Sequence, residues 1–274
     1  LCGVLGLKPS RGLISTTGVF PLSWSLDEVG ILARSAWDAS AALLALAKPQ
    51  APAPPRIPPP APTRPRIGVP WSLFEEGLEP PVSQAFNSFL QTLETLDAEI
   101  LDLELPWFQP ALRHWRTIRG AEAAAVHKNW LETRPHLYSD EVRENLASGL
   151  GIPAVEYIAA LRERDKVAAK AAALFASLDA IATPTLPIAA PKISQVEEMT
   201  LQERAELRAR MISLTFLANL AGLPAVSIPV KPAGGGPVHA AQLTGPPGSD
   251  YTLLGIAWEY EFAVNGFSFP APLY

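Results

Sequence analysis

The chain has 274 residues, of which 48% are hydrophobic, and carries a formal net charge of −5. This length allows one large domain or two small ones, with enough residues for a buried core. The acidic balance argues against nucleic-acid binding as the main role, and no apolar run predicts a transmembrane helix or a secretory signal. The single cysteine, Cys2, cannot form an internal disulfide, which favours a reducing, cytoplasmic location.

The opening stretch, up to Arg34, predicts a short apolar strand over 3–7 that enters a Lys-Pro turn and a turn-rich passage. Cys2 is interpreted as a core residue, because no base or positive charge adjoins it and a thiol in such surroundings is inert. Asp27 and Arg34 are expected to form a structural ion pair across a turn. Trp24 lies in sequence between the strand and Asp27, and it is expected either to line an apolar pocket or to cover the core.

A helix is predicted over 35–47, where alanine and leucine dominate. Ten prolines follow within 49–70, which excludes a helix or a central strand through most of this run. We interpret about 49–66 as a Pro-rich surface linker in the polyproline II conformation. A Pro-x-x-P ligand for a partner domain is the alternative.

The middle of the chain alternates in its predicted structure. A strand at 67–69, a helix at 82–96 and an alternating strand at 98–105 indicate a βαβ unit. The stretch 111–178 is predicted to be mostly helical, and a buried strand at 178–183 follows it.

The last part of the chain predicts a helix at 211–220, ended by Gly222. Strands at 225–230 and 240–244 enclose a glycine-rich loop tip, which indicates a hairpin. A final helix over 250–261 has Asp250 as its predicted N-cap. We therefore predict an α/β fold in which all six strands lie in one mixed central sheet with helices on both faces.

Three sequence motifs, which occur in a fixed order along the chain, carry a resemblance to a known family. Cys-Gly-Val-Leu-Gly-Leu-Lys-Pro-Ser-Arg-Gly occupies 2–12, Ser-Leu-Asp-Glu-Val-Gly occupies 25–30, and Asn-Leu-Ala-Gly-Leu-Pro-Ala occupies 219–225. In this order, and over residues 1 to about 262, the chain resembles the amidase signature family of serine hydrolases. The resemblance implies that 1–274 is the C-terminal portion of a single amidase domain whose N-terminal part is missing.

The resemblance also implies a chemistry. Members of that family hydrolyse carboxylic amides with a serine nucleophile, a second serine in a cis peptide and a lysine, and they need no metal or organic cofactor. The nucleophile belongs to a Gly-Gly-Ser segment that this chain does not contain, and Lys8 does not match the catalytic lysine. The expectation is therefore that the chain holds no catalytic residue and is inactive alone. Trp24, Asp27 and Thr185 are the candidates for lining the substrate site.

Other chemistries find little support in the sequence. The glycines at 3–6 are wrongly spaced for a phosphate loop, and Pro9 separates Lys8 from Ser10. No Gly-x-Ser-x-Gly word occurs, no ligand cluster predicts a metal site, and the four histidines are interpreted as surface or helix-end residues.

The predicted function is the C-terminal part of an amidase-type hydrolase that acts by acyl transfer on a small-molecule amide. One alternative is a protein like the amidase-type subunit of a glutamine amidotransferase (transamidosome), and another is a non-catalytic scaffold or partner subunit with this fold. An incomplete sequence is a further interpretation, since the chain starts at Leu1. Neither nucleic acid nor a membrane is an expected partner, and a homodimer stays open.

Overall fold

The computed structural model describes residues 2–48, 53–231 and 237–267. Within these residues the chain forms one mixed sheet of seven strands. The strands, in chain order, are β1 Leu5–Lys8, β2 Ile31–Ala33, β3 Arg66–Val69, β4 Glu99–Asp102, β5 Ala180–Pro184, β6 Ala225–Val230 and β7 His239–Thr244. Their spatial order across the sheet is β2-β1-β6-β7-β5-β3-β4.

The α-helices flank this sheet. They are α1 Ala36–Leu46, α2 Pro80–Thr95, α3 Phe108–Thr133, α4 Asp140–Leu150, α5 Ala154–Leu174, α6 Ile193–Glu198, α7 Leu201–Ile212, α8 Phe216–Ala221 and α9 Asp250–Ala263. Among the described residues, no helix is both long enough and apolar enough to cross a bilayer. The predicted α/β class and the single mixed sheet are confirmed by this arrangement.

The parallel part of the sheet is the predicted βαβ unit. β3 pairs in parallel with β4 on one side and with β5 on the other. α2 connects β3 to β4, and it buries Phe86, Phe89 and Leu93 at helical spacing against the sheet. The unit therefore forms one edge of the sheet.

The antiparallel part joins the two ends of the chain. β1 pairs with β2 and with β6, and β6 pairs with β7, so that Gly6 lies opposite Ser227. Pro229 is tolerated in β6 because it lies beyond the last residue that pairs with β1, where no ladder hydrogen bond is needed from it. The predicted 225–230 and 240–244 hairpin is present, whereas its glycine-rich tip, 234–236, lies outside the described residues.

The helices form two groups. α1, α2 and α9 pack on one another and on β1, β6 and β7, and they enclose most of the apolar core. α3, α4, α5 and α8 pack together as a second group, in which Phe108 and Phe216 meet edge to face at 4.8 Å between ring centroids. The second group supports the wall of the groove described below.

Three local predictions are wrong. Cys2 is exposed, because the strand begins only at Leu5 and Cys2 precedes it. The helix predicted over 211–220 is two helices, since the backbone turns at 213–215 between α7 and α8. Asp250 is not an N-cap: Ser249 occupies that position, and the Asp250 carboxylate instead accepts hydrogen bonds from the Ser10 amide at 2.7 Å and the Ser10 hydroxyl at 2.5 Å.

The Pro-rich segment forms no helix or strand over the described residues 53–65. Pro59 and Pro65 are nevertheless buried, and the Pro60 carbonyl lies against Gly255 of α9. An added Cβ at Gly255 would stand 2.5 Å from that oxygen, so only glycine permits this approach.

Candidate functional site

An open groove of about 450 Å³ runs along the face of the sheet formed by β1, β6 and β7. Side chains alternate along a strand, so Leu5 and Leu7 of β1 enter the core, whereas Gly6 and Lys8 face the other way. The short helix α8 forms the opposite wall of the groove. Residues that line it include Gly6, Lys8, Leu32, Thr185, Thr215, Asn219, Ser227 and Gln242.

Two hydroxyl groups meet inside the groove. Thr185 Oγ1 and Ser227 Oγ are 2.8 Å apart and share a hydrogen bond. Thr185 is fixed because its backbone N–H donates to the Ala240 carbonyl at 2.8 Å, directly after β5 ends. The pair can donate and accept hydrogen bonds, which suits recognition of a polar group such as an amide.

Gln242 closes one side of the groove. Its side-chain amide nitrogen donates to the Leu214 carbonyl at 3.3 Å and to the Thr183 hydroxyl at 3.4 Å, so β7 is tied to the turn before α8. Gln242 is 7% exposed, and its amide is therefore held rather than free to rotate. This contact fixes the distance between the sheet and α8, and with it the width of the groove.

Lys8 is the cation of the groove wall, and it is already paired. Its ammonium group donates to the Glu28 carboxylate and to the Pro9 carbonyl, and Arg11 lies 3.7 Å from the same carboxylate. Burial lowers the pKa of Lys8, against the opposing effect of Glu28, and burial likewise raises the pKa of Glu28. We interpret the pair as a structural anchor for the 9–30 loop, because both groups are committed to each other.

The 9–30 loop carries two of the predicted site residues. Asp27 accepts hydrogen bonds from the backbone N–H groups of Leu22 and Ser23, at 2.8 and 2.9 Å, and so it closes a local turn. Its predicted ion pair with Arg34 is absent from the described residues, because the carboxylate is turned into the loop. Trp24 is 56% exposed on the same loop.

Glu122, on α3, was not singled out by the sequence and holds this loop in place. It is 1% exposed, and its carboxylate accepts hydrogen bonds from Ser23 Oγ at 2.6 Å, from the Ser25 amide at 3.1 Å and from the Tyr157 hydroxyl at 2.7 Å. Burial, followed by the bond to Glu122, raises the pKa of Tyr157 to about 12. The one available signal was a lone carboxylate within the alanine-rich stretch 121–125.

The three predicted substrate-lining residues do not lie together. Thr185 lines the groove, whereas Trp24 and Asp27 belong to the loop and are not among the groove's lining residues. Their roles in substrate binding stay predictions. Within the described part of the chain, neither groove hydroxyl has a hydrogen bond to a histidine, lysine or carboxylate that would activate it.

The interpretation of the four histidines as surface or helix-end residues is wrong for His239. His239 is the first residue of β7 and is only 7% exposed, beside Thr185 and Val82. Burial lowers its pKa, although the Glu79 carboxylate acts in the opposite direction. In the residues that the structure covers, its Nε2 atom has no hydrogen-bond partner.

Comparisons with known proteins agree on one family. The family profile described as Amidase matches residues 1–254. An amidase of Pseudomonas putida is 29% identical over 97% of this chain, and a glutamyl-tRNA(Gln) amidotransferase subunit of Symbiobacterium thermophilum is 30% identical over 94%. A crystal structure of an amidase superposes with a TM-score of 0.81 at 30% identity, over 95% of this chain. The chain spans 59% of the length of each of these two relatives and 58% of the solved structure.

Proposed function

Because this chain belongs to the amidase family, we propose that it forms the C-terminal part of a hydrolase that cleaves a small-molecule carboxylic amide by acyl transfer. In this proposal the chain supplies one wall of the substrate site. The nucleophilic serine, its cis-peptide serine and the lysine come from residues outside the chain. The chain alone is then inactive.

The observation that carries the proposal is the groove on β1, β6 and β7. It has a polar hydroxyl pair, Thr185 and Ser227, but no base in hydrogen-bond contact with either of them in the described residues. Acyl transfer needs a nucleophile held against its base at about 3 Å. The groove also leaves Leu32 of the edge strand β2 80% exposed beside it. Apolar surface next to an unpaired strand edge is suited to receive further chain.

The proposal assigns roles to the predicted residues. Thr185 contacts the substrate from within the groove, and Trp24 and Asp27 shape the loop at its margin. The segment at about 49–66 acts as a surface linker within a single domain that extends through 1–274. The cytoplasm is the proposed location, on the ground of the single cysteine.

A glutamine amidotransferase role is the second candidate. It is favoured by the 30% identity to the amidotransferase subunit from Symbiobacterium thermophilum. In that case the chain's parent would release ammonia from glutamine and would bind partner subunits. Hydrolysis of glutamine in preference to anilides distinguishes this candidate from a small-molecule amidase.

The test is release of a chromogenic amine from a simple anilide. The 274-residue chain is assayed alone and together with an added N-terminal segment that carries the Gly-Gly-Ser motif expected of the amidase signature family. We expect background rates for the chain alone and turnover for the combination. Replacement of the serine of that motif by alanine should abolish the turnover.

The control is a purification from the same host without the chain, which measures host amidases. Robust turnover by the chain alone, above that control, would mean that the catalytic residues lie within it and that the proposal is wrong. A combination that folds and binds but never turns over any anilide or glutamine would favour the scaffold alternative.

A further inference from the structure

A small cavity lies beside the groove. It offers about 20 Å³ of space for the centres of water molecules, and its walls come from α2, from the start of β7 and from residues 185–190, the rim segment, which follows β5. The lining residues are Val82, Thr185, Leu186, Ile188, Ala190, Val238, His239 and Ala240. A buried water needs at least about 10–15 Å³ of such space. The cavity therefore has room for one water molecule.

His239 brings an unpaired polar atom to this cavity. Its side chain is only 7% exposed, and its Nε2 atom has no hydrogen-bond partner among the described residues. A buried polar atom without a partner destabilises the fold, so protein or ordered water normally supplies one. Of the side chains that line the cavity in the described part of the chain, only Thr185 carries another polar atom, and its hydroxyl is paired with Ser227. A water molecule is the partner that fits.

The rim segment supplies further partners for such a water. The backbone N–H groups of Thr185 and Ala189 donate to protein acceptors, at 2.8 and 2.9 Å. The N–H groups of Leu186 and Ile188 have no hydrogen bond within the residues that the structure covers. Both residues line the cavity, and Ile188 is only 4% exposed. A water that accepts from these two N–H groups keeps both of its hydrogens to donate, one of them to Nε2 of His239.

The rim segment is fixed at its two ends. Glu79, which precedes α2, donates its backbone N–H to the Pro187 carbonyl at 3.0 Å, and its carboxylate accepts from Ala189. At the other end Thr185 lines both the cavity and the groove, where its hydroxyl meets Ser227. Support between these ends comes from the side of the cavity. A shift of the segment there would move the Thr185 hydroxyl in the groove.

We propose that His239 is a positioning residue of the groove, which acts through one buried water. The water donates to Nε2 and accepts from the N–H groups of Leu186 and Ile188. This bridge holds the rim segment so that Thr185 stays in contact with Ser227. The importance of Thr185 for substrate binding rests on the proposed function, whereas the bridge itself does not.

Hydrogen exchange of the 274-residue chain, followed by mass spectrometry, tests the bridge without any need for turnover. His239→Leu removes the acceptor and should speed exchange in the rim segment about fivefold or more, the effect of one lost hydrogen bond. His239→Gln places an amide near the position of Nε2 and should restore slow exchange. His136→Leu is the matched control, because His136 is exposed and does not line the cavity.

The protonation of the ring gives a second measurement, on the unaltered chain. Burial lowers the pKa of His239, so the ring is neutral at pH 7. If the water donates to Nε2, the single ring proton must be on Nδ1. Nitrogen chemical shifts from nuclear magnetic resonance identify which ring nitrogen carries it. This measurement decides the matter if His239→Leu does not fold.

The effect on the groove is tested in the chain combined with the added N-terminal segment. His239→Leu should raise KM, and the same change added to Thr185→Val should have no further effect, because His239 acts through Thr185. Additive effects of the two changes would overturn the positioning role. A combination that never turns over leaves the exchange and resonance measurements unaffected, so failure of the proposed function is a separate result.

Three results on the chain alone would overturn the bridge. One is unchanged exchange in the rim segment of His239→Leu. Another is exchange that rises equally in the glutamine and leucine variants or equally throughout the sheet, since that is general destabilisation. The third is a ring proton on Nε2 in the unaltered chain at pH 7.

Discussion

Glu122 and Ser23, 99 residues apart in the chain, are joined by a 2.6 Å hydrogen bond from the serine hydroxyl to the carboxylate. The bond ties the 9–30 loop to α3 at a point where both groups are almost fully buried. Because the same carboxylate also accepts from Ser25 and Tyr157, one side chain satisfies three donors from two segments, the 9–30 loop and α5. The position of the loop therefore depends on Glu122.

Glu122→Ala should lower the free energy of unfolding by about 3 kcal/mol, because one buried and two partly buried donors lose their acceptor. Urea unfolding followed by circular dichroism measures this change. Glu132→Ala, at an exposed position of the same helix, is the control and should change stability by less than about 0.5 kcal/mol. Equal effects of the two variants would show that the loop is held by other contacts.

Asp250→Ala should be similarly destabilising, by about 2–3 kcal/mol, since the Ser10 amide and hydroxyl both donate to its carboxylate. Ser10→Ala should cost less, about 1–2 kcal/mol, and the double variant should cost less than the sum of the two. Thr16→Ala, in an exposed part of the same loop, is the control. Additive effects in this cycle would argue against a direct coupling of the two residues.

Gly255→Ala should destabilise the protein, although alanine in a helix is normally about 1 kcal/mol better than glycine. The new methyl group would lie 2.5 Å from the Pro60 carbonyl, so the Pro-rich segment must move away from α9. Limited proteolysis should then cut 53–65 faster. Gly77→Ala, where a Cβ would meet nothing within 4 Å, is the control. An unchanged cleavage rate would mean that the segment does not rest on α9.

The free energy of unfolding should decrease in acid, because His239 must take up a proton that the folded state disfavours. Its pKa in the folded state lies below the ordinary value of 6.5, because burial outweighs the attraction of Glu79. The folded state then binds fewer protons than the unfolded state, so this contribution to stability is complete above pH 6.5 and decreases as the pH falls toward the folded pKa. His239→Gln should reduce the difference in unfolding free energy between pH 7 and pH 5. A parallel pH profile for the two proteins would contradict this.

The hydroxyl pair of the groove should matter for activity more than for folding. In the combined enzyme, Thr185→Val and Ser227→Ala should each lower kcat/KM about tenfold, since each removes a hydrogen bond available to the substrate. Thermal unfolding of both variants should stay close to that of the unaltered chain. Ser177→Ala, at an exposed position away from the groove lining, is the control. Unchanged kcat/KM in both variants would show that the hydroxyl pair does not contact the substrate.

The sequence alone was enough to predict the sheet and most of its strands, because β5 and β6 are apolar runs bounded by prolines and glycines. The βαβ unit was equally visible, since α2 has a clear helical period. β2 was missed: it is only Ile31–Ala33, too short for any alternation, and it exists because β1 lies beside it.

The site was harder to predict than the fold. Thr185 could be proposed for the substrate site because the family resemblance implies that position, whereas Glu122 gave no local sign that three donors would converge on it. Asp250 shows the same limit. Its position at the start of a helix predicts an N-cap, but its carboxylate accepts a hydrogen bond from Ser10, 240 residues away in the chain.

The pairing of β1 with β6 has a consequence for synthesis on the ribosome. β1 can pair with β2 early in synthesis, and the two strands form a ribbon. The other neighbour of β1 in the sheet is β6, which is synthesised roughly two hundred residues later, so one edge of β1 stays unpaired in the meantime. Among the strand pairs of this sheet, the β1 and β2 ribbon therefore waits longest for its neighbour to be synthesised. Until β6 has been synthesised, the open edge of the ribbon can pair with a second copy of the chain, as in domain swapping, or bind a chaperone.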